Sequence, residues 1–565
     1  MTLHYRTCPL CEATCGLEIE VKDDGSIGRI RGDRDDVFSK GFICPKGSTL
    51  KQLHEDPDRL RTPLVRGEDG DLHPATWDEA FVEIERRLMP ILEQHGRDAV
   101  AVYLGNPSVH NLSGSLFGRF VIRALGTKNV FSASTVDQRP KEVSSGLMFG
   151  TMISWPVPDL DRTDHLLMLG ANPYESNGSL ATAPDWPGRL EAIIERGGKV
   201  VVVDPRRTKT AEEASEHVPI RPGTDAHLLM AMVQVLFDER LVDLGAAGEF
   251  VLGVDQVRTA CAPFTPEAVA PVTGIDAEVI RRLSRELAAA PSAAVYGRIG
   301  TCTQEFGTLA SWLIDVLNTL TGNLDKPGGA MWAKPAAGGA TTKGKGRYGR
   351  GVKLGRRASR VRGLPETYGE LPVAAMAEEM DTQGEGQVRA FVCIAGNPAL
   401  STPNSDRLAR ALEGLEFMVS VDIYVNETSR HADVILPAPS ALTKAHYDVA
   451  FYQFSLRNVA NYSPPVLPPE DGSMEEWKVL AKLALIAQGM GAGADPALVD
   501  DMAIKAMADR DGFDIATLGD RVGPERMVDY MLRTGPYELS LDELLEHPHG
   551  VDLGALEPRL PDMLR

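Results

Sequence analysis

Leu166–Ser179 reads LLMLGANPYESNGS, and Phe391–Ser405 reads FVCIAGNPALSTPNS. Each is a short apolar run that ends in a glycine and an Asn-Pro loop. A helix-forming stretch follows each one. A second apolar run then ends in aspartate, at Asp204 in VVVVDPRRT and at Asp422 in VSVDIYV. The order strand, loop, helix, strand predicts a doubly wound α/β sheet with parallel strands, and its recurrence predicts two related halves. Ligands in such sheets bind beyond the carboxyl ends of the strands. There a glycine lets the backbone approach a phosphate, and a strand-end aspartate accepts hydrogen bonds from a nucleotide. Two halves imply two nucleotide-bearing ligands, or one ligand and a degenerate copy. The plainer reading of either aspartate alone is a helix cap. His217 and His431, at matching places, are read as packing and hydrogen-bonding residues.

The chain has 565 residues, 43% hydrophobic and 24% charged, which is ordinary for globular protein and too long for one core. No apolar run reaches the roughly 18 residues of a membrane span. The first cysteine lies too near the start to leave room for a secretory or twin-arginine signal, so a cytoplasmic location is expected. A formal net charge of −20 argues against nucleic acid as a partner.

Four of the seven cysteines, Cys8, Cys11, Cys15 and Cys44, fall at the start with C-x2-C-x3-C-x28-C spacing. Cytoplasmic thiols stay reduced, so these are metal ligands rather than disulfide partners. Three clustered ligands and one distant favour a [4Fe-4S] cluster; structural zinc is the other thiolate option. GLEIEVKDDGSIGRIRGD alternates about a DDGS turn and predicts a hairpin beside the site. Cys261, Cys302 and Cys393 are expected to be structural thiols.

The segments CPLCEATC…CPKG, LMLGANPYESNGSL, VVVDPRRTKTA, IRPGTDAHLLMAM, LTGNLDKPGG, AGNPALSTPN and HADVILPAPS together resemble the molybdopterin oxidoreductase family, which includes formate dehydrogenases, nitrate reductases and dimethyl sulfoxide reductase. They span nearly the whole chain in family order. The resemblance implies an α/β fold in which a small N-terminal [4Fe-4S] β domain (1–60) precedes two doubly wound halves. One half would comprise 61–140 with 365–490 and the other 141–333; a basic glycine-rich loop (334–364) and a helical or irregular C-terminal segment (491–565) complete the chain. It implies a bis-molybdopterin guanine dinucleotide carrying molybdenum or tungsten. Cys8, Cys11, Cys15 and Cys44 match the cluster ligands, and Lys46 matches a lysine between cluster and pterin. Gly170, Asn172, Glu175, Ser176, Asp204, Arg206, Gly223 and Asp225 match contacts to one dinucleotide. Gly396, Asn397 and Asp422 match contacts to the other, and YGRIGTCTQEFG resembles a pterin loop through Gly300, Thr303 or Gln304.

The segment before the first Asn-Pro loop holds no cysteine, so the metal would take an oxygen ligand or none; Ser144 and Ser145 stand nearest the expected place, with Asp137 third. The implied activity is two-electron redox of a small substrate, either formate-dehydrogenase-like or the reduction of an oxyanion, S-oxide or N-oxide. Electrons would pass the cluster to a partner protein or subunit. The chain stops where the family's C-terminal domain would begin: either the sequence is truncated, a separate chain supplies that domain, or this member does without it. Two other readings are a non-catalytic iron-sulfur subunit of a larger redox complex and a zinc-stabilised binding module. From Lys334 to Arg362 there are ten basic residues and no acidic one, read as a surface loop or as a funnel for an anion.

Overall fold

A computed structural model describes residues 1–338 and 351–563. The two predicted halves are two separate sheets. Strands Glu216–Val218, Lys199–Val203, His165–Leu169 and Ala293–Gly297 lie side by side in that order, all parallel. A seven-stranded sheet has the order Leu72–Pro74, Leu64–Arg66, Val434–Leu436, Phe417–Val421, Ala390–Ile394, Val100–Leu104 and Val130–Ser132. Its last five strands are parallel, and Leu64–Arg66 joins them antiparallel. Strands from before residue 140 and after residue 365 thus share one sheet, with the four-stranded sheet inserted in sequence between them.

The strand runs HLLML, AAVYG, AFVCI and FMVSV are buried along their whole length, as parallel strands covered on both faces must be. Their two-residue period sorts the side chains. Leu166, Met168, Val200 and Val202 of one sheet join Val100, Val102, Val392 and Ile394 of the other in a single core. The alternate residues serve separate outer cores: Leu167, Leu169, Val201 and Val203 in one, Ala101, Tyr103, Phe391 and Cys393 in the other. The sheets therefore meet across a common core.

Helix Leu112–Leu125 shows how local signals set the elements. The Asn111 side chain accepts from the Gly114 amide at 2.7 Å to start it, and Gly126, at φ 65°, ends it. Strand Thr2–Thr7 and the hairpin Gly16–Val21/Ile27–Gly32 make a three-stranded antiparallel sheet at the N-terminus. The C-terminal segment holds the expected helices, but Val551–Ala555 also pairs antiparallel with Arg457–Ala460.

Part of the basic stretch, residues 339–350, lies outside the described residues. The part after residue 350 is not a simple loop. Leu354–Ala358 pairs antiparallel with Pro365–Thr367, and the arginines find acidic partners just downstream. The Arg356 side chain donates to Glu366 at 2.9 Å and Arg362 to Glu378 at 2.6 Å, while Arg360 faces Glu379 at 3.8 Å. A count of basic residues along the sequence misses this neutralisation, because the partners lie beyond the basic run. No helix among the described residues is long and apolar enough to cross a membrane.

Candidate functional site

Cys8 directly follows strand Thr2–Thr7, and Cys15 directly precedes strand Gly16–Val21. Pairing of Thr7 with Gly16 therefore brings both ends of the cysteine loop together. The Cys8 amide donates to the Cys15 carbonyl at 2.8 Å, and Thr14, at φ 52°, makes the turn. Cys44 caps the short helix Pro45–Ser48, which brings the fourth sulfur and the exposed Lys46 to the same hollow, closed by Leu10, Leu17 and Ile43. Burial pushes the Cys8 thiol up to about 12 and raises Cys11 and Cys15 as well, and the neighbouring thiols add to each rise. A bound cation is what makes thiolates stable in such a place. Sulfurs around one tetrahedral zinc sit about 4 Å apart, given Zn–S bonds near 2.3 Å. Among the described residues the only three-donor group that lies within 4.8 Å is Asp33, Asp35 and His549. No three of the cysteine sulfurs therefore lie within 4.8 Å of one another, a wider spacing than one tetrahedral zinc takes.

At the carboxyl ends of the two sheets the same device is built twice. In one half the Thr210 hydroxyl donates to the Asn172 side-chain oxygen at 2.7 Å; in the other, Thr428 donates to Asn397 at 2.7 Å. Each Asn opens a one-turn helix, with ψ 67° and 65°. Asp204 and Asp422 each accept the amide two residues on, from Arg206 at 2.9 Å and from Tyr424 at 3.1 Å. One oxygen of each aspartate is thus spent on its own turn. Asp422 also accepts from Asn426 at 2.9 Å, and burial raises its carboxyl.

Residue type pairs Gly170 with Gly396, but alignment on the shared Asn-Pro dipeptide and the backbone both pair Gly170 with Ala395. The left-handed position falls at Gly170 (φ 56°) and Ala395 (φ 51°), each two residues before its Asn. Gly170 and Gly300 touch so closely that a Cβ built on Gly300 falls 2.7 Å from the Gly170 Cα; a Cβ on Gly105 falls 1.7 Å from the Ala395 carbonyl oxygen. Gly396 packs on Tyr103. The first loop gathers Gln304, which donates to buried Asp225 at 2.8 Å and to Gly300 at 3.1 Å, and Glu175, paired with Lys209 at 3.0 Å. Thr303 donates to its own helix, Ser176 donates to the Asn172 carbonyl, and Gly223 and Arg206 are exposed. The second loop opens on a cavity of about 560 Å³, lined by Gly396, Asn397 and Asp422 on one side and by Leu10, Leu50 and His54 of the cluster domain on the other.

The Ser144 and Ser145 hydroxyls are fully buried and donate to backbone carbonyls, Ser144 to Lys141 and Ser145 to Thr151, each at 2.8 Å. Asp137 is different: one buried carboxylate oxygen has no partner. Burial raises its carboxyl, and Arg298 is the strongest charge opposing that rise. Arg298 acts likewise on Glu12, which sits inside the cysteine loop, accepts the Leu180 amide at 2.6 Å, and is pushed up to about 7 by burial. Glu12 and Arg298 are absent from the sequence-derived set. No sequence spacing marks either one, because their meeting depends on the cysteine loop docking against the first half. His110 and His446, each with an unpartnered ring nitrogen, line the cavity beside the second loop and are equally unmarked. His217 donates to the Asp204 carbonyl at 2.9 Å, the hydrogen-bonding role expected of it.

The Fe4S4-domain profile of molybdopterin oxidoreductases matches residues 1–55, and the molybdopterin oxidoreductase profile matches residues 59–485. The assimilatory nitrate reductase catalytic subunit of Bacillus subtilis is 27% identical over 461 residues, covering 77% of this chain and 62% of that protein. Formate dehydrogenase H of Escherichia coli is 28% identical over 450 residues, with the same two coverages. The chain thus spans less than two thirds of the length of either. The structure of acetylene hydratase from Pelobacter acetylenicus superposes with a TM-score of 0.75 over 96% of this chain and 73% of its own, at 20% identity, a likeness of fold. With the four-cysteine hollow and the duplicated strand-end loops, these matches make the chain a member of the molybdopterin oxidoreductase family, the group that carries a molybdopterin cofactor with molybdenum or tungsten and a [4Fe-4S] cluster.

Proposed function

We propose that the chain is a two-electron oxidoreductase of a small substrate, formate-dehydrogenase-like or reducing an oxyanion, S-oxide or N-oxide, with a bis-molybdopterin guanine dinucleotide spanning its two halves. The observation that carries this reading is the repeated Asn–Thr loop, Asn172 with Thr210 and Asn397 with Thr428, at the ends of two sheets that share one core. Bound there, the cofactor supplies two-electron chemistry at its metal, and the protein supplies orientation and electrostatics.

Gly170 with Gly300, and Gly105 with Ala395, pack backbone directly on backbone and so fix the strand-end loops on which the nucleotides would sit. Asp137 offers the metal an oxygen ligand, since its free carboxylate oxygen contrasts with the committed hydroxyls of Ser144 and Ser145. Cys8, Cys11, Cys15 and Cys44 hold the cluster. Lys46, exposed and beside it, places a positive charge where electrons pass between cluster and pterin. The relatives' names include a catalytic subunit. A redox partner protein, and a further chain over the strand-end loops, fit the same arrangement here.

Iron, molybdenum and tungsten analysis of anaerobically purified protein, followed by dye-linked turnover of formate, nitrate, thiosulfate and dimethyl sulfoxide, tests the reading. About four irons with a pterin metal and turnover of one of these supports it. Iron without a pterin metal would identify an electron-transfer scaffold instead.

A further inference from the structure

Strand Thr2–Thr7 is an outer strand of its three-stranded sheet, paired with Gly16–Val21 on one side only. Cys8 sets the phase of its hydrogen bonds, because the Cys8 amide donates to the Cys15 carbonyl in the same register. Alternation along an antiparallel pair then turns the Thr2, His4 and Arg6 amides toward the paired strand and the Leu3, Tyr5 and Thr7 amides outward. The Thr7 amide donates to the Ser463 hydroxyl at 2.8 Å. Those of Leu3 and Tyr5 have no acceptor among the described residues.

Three other outer strands engage groups along their free edges. On Ala293–Gly297 the Val295 amide donates to the Asn318 side chain at 2.8 Å and the Ala293 amide to Asn323 at 3.0 Å. On Val130–Ser132 the Val130 carbonyl accepts from the Leu371 amide, and on Ile27–Gly32 the Ile27 carbonyl accepts from the Lys51 side chain at 2.6 Å. Thr2–Thr7 has no proline, lysine or bulge of the kind that protects an edge.

Beside this open edge lies a cavity of about 190 Å³. Leu3, His4 and Tyr5 all line it, and since successive side chains point to opposite faces of a sheet, the cavity faces the edge itself. Tyr462, Pro464 and Leu545 form the opposite wall. Leu3 is 46% exposed and Leu545 45%, so apolar surface stands open on both sides. Two carboxylates flank it: Glu20 stands opposite Leu3 on the paired strand, and Glu546 follows Leu545. Arg31 neutralises the neighbouring Glu18 at 2.7 Å, whereas Glu20 and Glu546 have no ion-pair partner among the described residues.

We propose that this edge docks an extended segment of a second protein, apolar at alternate positions and basic at its ends, which adds a strand beside Thr2–Thr7. The free amides of Leu3 and Tyr5 call for an extended backbone, the apolar walls take every second side chain, and Glu20 and Glu546 favour flanking lysine or arginine. Docking here needs neither the pterin nor its metal.

The probe is a fluorescein-labelled peptide, Lys-Val-Thr-Val-Thr-Val-Lys with an amidated end, titrated into the full iron-loaded chain and followed by anisotropy. Saturable binding is expected, with slower amide hydrogen exchange in residues 1–7. The same peptide with proline at its centre, which cannot form a strand, should bind at least about tenfold more weakly, and one flanked by glutamate about threefold more weakly. Leu3→Pro removes an outward amide and leaves the inner ladder whole, so it should weaken binding about tenfold. Leu545→Glu, a charge on the apolar wall, should do the same. Unchanged iron content and circular dichroism would show that the variants fold; if Leu3→Pro does not fold, Leu545→Glu decides. No saturable binding by the wild-type chain overturns the proposal, as does binding that the folded variants leave unchanged. Protection of residues 1–7 that rises with protein concentration, together with a dimer in sedimentation, would give the edge to a second copy of this chain and overturn it as well.

Discussion

The two halves share a backbone device and differ in what surrounds it. In the first, Asn172 and Thr210 sit among charged groups, with Lys209 paired to Glu175 and Gln304 tied to Asp225. In the second, Asn397 and Thr428 open on a cavity lined by His110, His446 and apolar chain from the cluster domain. The Asn–Thr bond is 2.7 Å in both. The fold preserves the hydrogen bond that shapes the loop, together with a left-handed residue two places before it. The chemistry around the loop is free to diverge, as expected if two like ligand ends are held in two unlike settings.

Substitutions at a few positions probe how far this likeness reaches. Gly105→Ala should have the largest effect. Its Cβ would overlap the Ala395 carbonyl, backbone against backbone, and the loss should exceed about 3 kcal/mol by denaturant unfolding. Gly300→Ala, the first-half counterpart, has more room at 2.7 Å and should cost less. Equal losses would deny that the second crossing is the tighter.

Asp448 comes next. Burial pushes its carboxyl up to about 7 from 3.8, while it accepts the Phe451 amide at 2.7 Å. A raised folded-state value means that the folded chain keeps a proton the unfolded chain releases. Its contribution is therefore complete below about pH 4 and lost as pH rises through 7, a change on the order of 4 kcal/mol in all. Asp448→Asn should flatten the fall in melting temperature between pH 4 and 7. An unchanged slope would place the titrating group elsewhere.

Asn172→Ala and Asn397→Ala each leave a threonine hydroxyl without its acceptor, about 1–2 kcal/mol apiece, and Asn397→Ala also removes an exposed donation to Glu427 at 2.6 Å. The two losses should be similar and additive, because the sites share no partner. Each variant should also release one nucleotide while retaining the other. The smallest effect is expected at Ala395→Gly, which relieves a left-handed alanine at φ 51° and should gain up to about 1 kcal/mol.

Much of the molecule was legible in the sequence, for identifiable reasons. Parallel strands buried on both faces are written as unbroken apolar runs, and Asn-Pro loops and strand-end aspartates recur at readable spacing. The hairpin beside the cysteines follows from alternation about DDGS, and strand Gly16–Val21 does pair with Ile27–Gly32. The one-residue offset between Gly170 and Gly396 is readable from their distances to the following Asn, but only φ reveals that Ala395 holds the strained place. Nor was the fate of the basic stretch, whose arginines pair with Glu366, Glu378 and Glu379 from the segment beyond it. Arg298 and Glu12 stayed hidden because their roles arise where segments more than a hundred residues apart pack together. The serines expected as metal ligands illustrate the converse: nearness in sequence suggested them, but both hydroxyls are consumed by the backbone of their own neighbourhood.

The proposed chemistry rests on both halves holding a nucleotide end of one cofactor system. Acid release and quantitation of guanine nucleotide per chain, from anaerobically purified protein, decides whether they do. Two nucleotides per chain are predicted. One would show that the second loop is a degenerate copy, and none, with iron still bound, would contradict the pterin reading altogether.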